Sequence, residues 1–342
     1  MDNSLREWIA SSLLAGYQTD QLRQTLLHCG FSAEAIEQEF AWAAPYIKTA
    51  QTLKRQLGAR EGLMKTLDRQ MRALPHYLTV EKTALPPYAQ FMEQYYYPNR
   101  PGLFHNVLEH SEARHWTPRG LLSKIGADTV VQIQYEYGTL GDERYQQNAE
   151  QFGKMIRFGE FIDMVETTES SNRFYLSAGN YTHNNTALAA LKDDIKDIGD
   201  GYFAPECNDQ RMYFLIGPRG TQTALHFDCV NNMLIQIYGR KRVRLVPALQ
   251  VPYLYHSSST HSDVDLRDPQ PGIHPEFLEA TIIDLELGPG DCLFIPVGWW
   301  HHVVSLSPSI SLVCTHIKTS EACPNRFIDN SVLFRHLAQY QK

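Results

Sequence analysis

The chain has 342 residues, enough for one large domain or two ordinary ones. Hydrophobic residues make up 43% and charged residues 20%, which supplies a packed core and excludes global disorder. Lys and Arg number 31 against 38 Asp and Glu, a formal net charge of −7, which argues against holding DNA or RNA by bulk phosphate neutralisation.

Residues 1–95 read as a helical amino-terminal region. Leu5, Trp8, Ile9 and Leu13 recur at helical spacing, as do Leu22, Leu26 and Leu27. Thr19 or Asp20 is placed to cap the second helix and Gly30 to stop it. A third helix starts after Ser32, with a longer one over Pro45 to Met71. The region fits a helical cap on the main domain or a small module for peptide docking or dimerisation. Amphipathic stripes are ordinarily core, which favours the first.

Pro75, Pro86, Pro87, Pro98 and Pro101 punctuate the join to the next region, 96–320. There, TVVQIQY, RFYLSAG, RMYFLIGP, TALHFD, NMLIQIYG, KRVRLVP, TIIDLEL, DCLFIP and ISLVCTHI are short strands bounded by turn signals such as GPRG, YGRK and GPGD. Many short strands at close intervals predict a mainly β barrel or double-sheet jelly roll. MIRFGEFIDMV and TALAALKDDI read as helices inserted between early strands. Residues 321–342 form a tail whose apolar spacing over 324–341 predicts a helix for packing or dimerisation.

No apolar run approaches the roughly 20 residues that span a bilayer. The start, MDNSLREWIASSLLAG, lacks the basic and apolar segments of a signal peptide, so a cytoplasmic location without membrane partners is expected. Cys29, Cys207, Cys229, Cys292, Cys314 and Cys323 form no CxxC pair and read as reduced thiols.

Two HxD tripeptides occur, His226-Phe227-Asp228 and His261-Ser262-Asp263, where about one is expected by chance. The second lies in the Ser-rich stretch YHSSSTHSDVD and reads as a polar loop. The first lies between strand-like segments, and residues i and i+2 of a strand project to one side. His226 and Asp228 can therefore converge on one ion. A third ligand is available downstream in IPVGWWHHVV, at His301 or His302. Two histidines and one carboxylate leave open positions and suit non-haem Fe(II), whereas a closed structural zinc site needs four protein ligands.

These segments resemble the JmjC group of the cupin superfamily, close to its asparaginyl hydroxylases and the bacterial cupin-like proteins, over about residues 98 to 318. LIGPRGTQTALHFD is similar to the stretch carrying the first two iron ligands, and IPVGWWHHVV to that carrying the third. RPGLFHNVLEH, HWTPRGLLSKIG, MIRFGEFIDMV and RFYLSAG follow the family's order of elements before them. The resemblance implies a double-stranded β-helix core, with Fe(II), 2-oxoglutarate and O₂ as cofactor and co-substrates. It implies His226, Asp228 and His301 as ligands, with His302 pointing away. Lys241 matches the lysine that binds the 2-oxoglutarate carboxylate, and Tyr175 and Thr223 match its hydroxyl partners. Asn232 matches an asparagine near the iron-chelating end. The asparagine that the family often carries in the last core strand is absent; Thr315 stands there, beside His316. Trp299 and Trp300 wall the pocket or pack the barrel, packing being the expected role of at least one.

The outcome so implied is hydroxylation of a protein or peptide side chain, with succinate and CO₂ as co-products. Relatives that act on lysyl methyl groups, tRNA or small metabolites keep other outcomes open. So do a non-catalytic binding cupin and a zinc or manganese cupin isomerase. Related hydroxylases pair through terminal helices, which gives a homodimer through 324–341 as an expectation.

Overall fold

The computed structural model describes residues 3–14, 17–135, 153–177, 182–195, 198, 201–203, 212–256, 260–315 and 317–318. The expected helix at 324–341, His316, Cys207 and Cys323 lie outside them. The chain divides into two compact units, Met1–Arg69 and Gln70–Lys342.

The first unit holds α1 (Asn3–Leu14), α2 (Thr19–His28) and most of α3 (Ala33–Met71). Ile9, Leu13, Leu22, Leu26, Ile36, Phe40 and Ala43 form its core. The apolar stripes do pack, as their spacing predicts. Arg6 closes on the buried Glu39 at 2.6 Å. The start of α2 differs from expectation: Gln18 occupies the N-cap, its amide meeting Gln21 Oε1 at 3.4 Å, and Thr19 is already helical. Gly30, at φ +87°, ends α2. The Phe31 amide reaches back to the Leu26 carbonyl at 3.1 Å, and only glycine turns left-handed there cheaply. Ser32 caps α3, its Oγ accepting from the Ala35 amide at 3.2 Å. α3 then runs without interruption through Pro45.

The stretch 70–95, read with the helices from sequence, falls in the second unit. It contributes β1 (Lys82–Ala84), which pairs in parallel with β2 (Gly102–His105). Next come α4 (Pro118–Ile125), β3 (Val130–Tyr135), β4 (Gly153–Arg157) and α5 (Phe158–Thr167). MIRFGEFIDMV is thus not wholly helical. Its first three residues belong to β4, which hydrogen-bonds to β3, and the helix starts at Phe158. TALAALKDDI is likewise broken, into the ends of short helical turns.

The remaining strands are β5 (Phe174–Ser177), β6 (Met212–Gly217), β7 (Gln222–Phe227), β8 (Asn232–Tyr238), β9 (Lys241–Val246), β10 (Ile283–Leu287), β11 (Cys292–Ile295), β12 (Trp300–Ser305) and β13 (Ser309–Cys314). They form a nine-stranded sheet, β1-β2-β11-β8-β13-β6-β5-β3-β4, and a four-stranded sheet, β10-β9-β12-β7. From β6 to β13 the chain crosses between the sheets at every step but β9 to β10. This is the double-stranded β-helix that the resemblance implies.

Three apolar layers follow from strand alternation. Leu234, Leu293 and Ile295 of the large sheet face Val243, Leu245, Ile283 and Leu287 of the small one, so these residues mark the inner faces. The opposite face of the large sheet, with Ile216, Ile235 and Leu312, packs on α4 and α5 through Leu121, Phe158 and Phe161. Each fully buried phenylalanine there contributes about 2–3 kcal/mol. The outer face of the small sheet, with Leu225, Val246 and Trp300, lies under the insert between β9 and β10 through Leu254, Val264, Leu266 and Phe277.

At the corner between β8 and β9, Gly239 adopts φ +73°, and a Cβ there would lie 2.0 Å from the Pro308 carbonyl oxygen. Both the left-handed backbone and the clash with main chain oppose a side chain. Gly239→Ala is expected to cost at least about 2 kcal/mol, read as a lower midpoint of thermal unfolding.

Candidate metal and co-substrate site

β7 and β12 are antiparallel neighbours, and His226 stands directly opposite His301. His301 lies opposite Leu245 of β9, whose side chain belongs to the inter-sheet layer, so both histidines point inward. Asp228 follows β7, with its carbonyl accepting from the Gly298 amide at 3.0 Å. Its carboxylate lies 4.0 Å from His226 Nε2 and 3.5 Å from His301 Nε2. Ligand atoms of these three residues all fall within 4.8 Å of one another, the one such cluster among the described residues.

Each histidine is held by its far nitrogen. His226 Nδ1 meets the Ala224 carbonyl at 2.8 Å, and His301 Nδ1 meets the Trp299 carbonyl at 3.1 Å. A carbonyl only accepts, so Nδ1 carries a proton and Nε2 is the atom turned toward the centre. Burial, then the neighbouring His226, pushes His301 down to about 4, against the pull of Asp228. His301 is therefore neutral at physiological pH, the form that ligates a metal. Asn232 Nδ2 donates to the Asp228 carboxylate. The resemblance placed Asn232 near the chelating end of the co-substrate; here it orients a carboxylate of the cluster.

Thr223 reaches the same face by an irregularity. It is three residues from His226, which in a regular strand would turn it outward. The register runs His301 to His226 and then Val303 to Thr223, two steps along β12 against three along β7. This β-bulge returns Thr223 to the inner face. Lys241 opens β9 opposite Ser305 of β12, in phase with His301, and is 2% exposed. Tyr175, on the inner face of β5, lies with its ring centroid 6.0 Å from Lys241 Nζ. Sequence reasoning missed Gly217. A Cβ there would lie 2.8 Å from Tyr175 Cδ2, so glycine makes room for that ring. Thr315, just past β13, continues the inward phase of Val313.

Burial lowers Lys241 from the ordinary 10.5 to about 7, and no carboxylate among the described residues pairs with it. A buried ammonium is costly unless an anion meets it. The donor sets thus fit both implied groups: two inward-turned imidazoles and a carboxylate for a divalent iron, and a buried cation with two hydroxyls for a carboxylate-bearing co-substrate.

His302 lies opposite Arg244, on the outer face, as expected. Neither of its ring nitrogens has a hydrogen-bond partner among the described residues, and burial pushes it down to about 4. Both tryptophans pack. Trp300 sits in the outer layer, and Trp299 in the inner one, with Nε1 donating to the Asn99 carbonyl at 2.9 Å. His261, set aside in a polar loop from sequence, is bridged to His226 and stacks on its ring. Burial is the main cause that pushes it to about 4.

A two-sheet β-helix with two histidines and one carboxylate converging between its sheets defines a mononuclear metal cupin. The family described as Cupin-like domain matches residues 88–316. Among curated relatives, lysine-specific demethylase JMJ30 of Arabidopsis thaliana is 30% identical over 240 residues, 68% of this chain and 53% of its own. Lysine-specific demethylase 8 of Xenopus tropicalis is 30% identical over 68% of this chain and 52% of its own. tRNA wybutosine-synthesizing protein 5 of Gallus gallus is 39% identical over 129 residues, 36% of this chain and 41% of its own. The chain spans about half the length of the demethylase relatives it matches. It belongs to the JmjC cupin-like family, whose members use Fe(II) and 2-oxoglutarate.

Proposed function

We propose that this chain is an Fe(II)/2-oxoglutarate-dependent oxygenase that hydroxylates a side chain of a protein or peptide. The observation that carries it is the sharing of one inner face by the cluster His226, Asp228, His301 and the buried Lys241, which no carboxylate among the described residues pairs with. Bound iron and 2-oxoglutarate supply the oxygen activation, with succinate and CO₂ as co-products. His226 and His301 would offer their Nε2 atoms to the ion, and Asp228 a carboxylate oxygen. Asn232 holds that carboxylate toward the centre. Lys241, with the hydroxyls of Tyr175 and Thr223, would hold the distal carboxylate of the co-substrate. The apolar walls around Val243, Leu245 and Trp299 keep bulk water away.

A protein substrate draws support from the names of the two demethylase relatives and from the acidic balance of −7, which disfavours a polyanion. Among the described residues no helix is long and apolar enough to cross a membrane. The test is to supply the 342-residue chain with Fe(II), 2-oxoglutarate and air, and to offer proteome-derived peptides or bulk tRNA. Peptide-stimulated succinate release with a peptide mass gain of one oxygen is expected. Formaldehyde release would convert the reading to demethylation, and stimulation by tRNA alone would overturn the protein substrate.

A further inference from the structure

The insert between β9 and β10 does more than cover the outer face of the small sheet. β7 is the last strand of that sheet, and an edge strand leaves main-chain groups unpaired. Residues 260–262 fill this edge. The Phe227 amide donates to the Thr260 carbonyl at 3.0 Å, and the Ser262 amide to the Leu225 carbonyl at 2.9 Å. The bridge places His261 directly beside His226. Three histidines, His261, His226 and His301, therefore stand in a row across adjacent extended segments. The ring of His226 lies between the other two, 4.1 Å from His301 at 52° and 5.2 Å from His261 at 15°.

His261 is not one of the three residues whose ligand atoms cluster. Its near-parallel ring lies flat along His226 instead. The hydrogen bond from Nδ1 to the Ala224 carbonyl holds one edge of the His226 ring. A flat neighbour supports its face and limits its tilt. The segment bearing His261 is itself anchored. Ser262 Oγ donates to the Leu254 carbonyl at 2.5 Å and accepts from the Val264 amide at 3.1 Å. The Asp263 amide donates to the carbonyl of Tyr255, a non-glycine residue held at φ +47°. Left-handed backbone persists at such a residue only where its surroundings hold it. Val264 and Leu266 then root the segment in the outer apolar layer.

We propose that His261 is a positioning residue of the metal centre: by stacking on His226 it fixes the plane in which Nε2 meets the ion. The proposal rests on the reading of His226, Asp228 and His301 as ligands. Outer partners that orient a ligand are worth about 10–100-fold in metal affinity.

The test is anaerobic titration of the full chain with Fe(II), and with Co(II) for its ligand-field absorption. Wild type, His261→Ala, His261→Phe and Asp228→Ala are compared, with the thermal midpoint of each metal-free protein measured beside them. His261→Ala is expected to weaken ion binding about tenfold and shift the Co(II) band, with an unchanged metal-free midpoint. His261→Phe, which keeps a flat ring without nitrogens, is expected to restore affinity to within about threefold. Wild-type affinity in His261→Ala would overturn the proposal. So would equal weakening in His261→Phe, or losses in affinity that track a lowered midpoint in both variants. Undiminished binding in Asp228→Ala would instead overturn the ligand assignment, so the two readings fail separately.

Discussion

Asp228→Ala is expected to abolish 2-oxoglutarate turnover, a loss of about a thousandfold or more, and to weaken Fe(II) by more than about a hundredfold. Asp228 is the sole carboxylate in the cluster. Without it, two imidazoles alone would have to hold a doubly charged ion between two apolar walls, with no protein anion to offset its desolvation. The side chain is 38% exposed, so its removal leaves no large void. The one buried group left unpaired is Asn232 Nδ2, worth about 1–3 kcal/mol. The variant should therefore fold. The measurement is the visible absorption of the anaerobic iron–2-oxoglutarate chelate, with succinate release beside it. Asp228→Asn, which keeps the shape and loses the charge, should fail equally. Retention of the chelate band in folded Asp228→Ala would show that the ion is held elsewhere.

Much of this site is legible in the sequence because it obeys strand alternation. His226 lies on a strand of obvious apolar character, Asp228 follows two residues on, and His301 sits on a second such strand. Alternation puts His301 and His302 on opposite faces, and the resemblance chose His301 as the inward one. What alternation cannot supply is the bulge in β7. Counted in twos from His226, Thr223 faces the wrong way, and only the resemblance brought it to the co-substrate. Local pattern misleads at Met155–Arg157, where apolar spacing reads as a helix start but pairing with β3 makes a strand. It misleads again at His261. The serines around it suggest a solvated loop, yet main-chain bonds to the edge of β7 decide its place, and main-chain bonding leaves no mark on residue type. Gly217 is invisible for a similar reason, since its use lies in the ring of Tyr175 across the sheet.

Lys241→Ala is expected to raise the 2-oxoglutarate concentration for half-saturation about a hundredfold or more, while Fe(II) affinity stays at the wild-type value. The ammonium is nearly fully buried and no described carboxylate meets it, so an anion entering the barrel would offset the cost of its burial. The same burial dictates a pH dependence. In the free protein Lys241 titrates near 7, against 10.5 for an ordinary lysine. Between these values the unfolded chain holds a proton that the folded chain has released, so this group makes stability rise with pH from about 7 to about 10.5. Co-substrate affinity runs the opposite way. The bound carboxylate requires the charged form and draws the pKa back up. As the free lysine loses its proton above about pH 7, 2-oxoglutarate affinity should fall, approaching tenfold per pH unit. His301 does not confound this window, being already neutral well below it. Lys241→Arg keeps its charge throughout, so its affinity, though lower, should be flat with pH. Anaerobic chelate titrations between about pH 6 and 9 decide the matter. A wild-type affinity as flat as that of Lys241→Arg would mean that another cation receives the carboxylate.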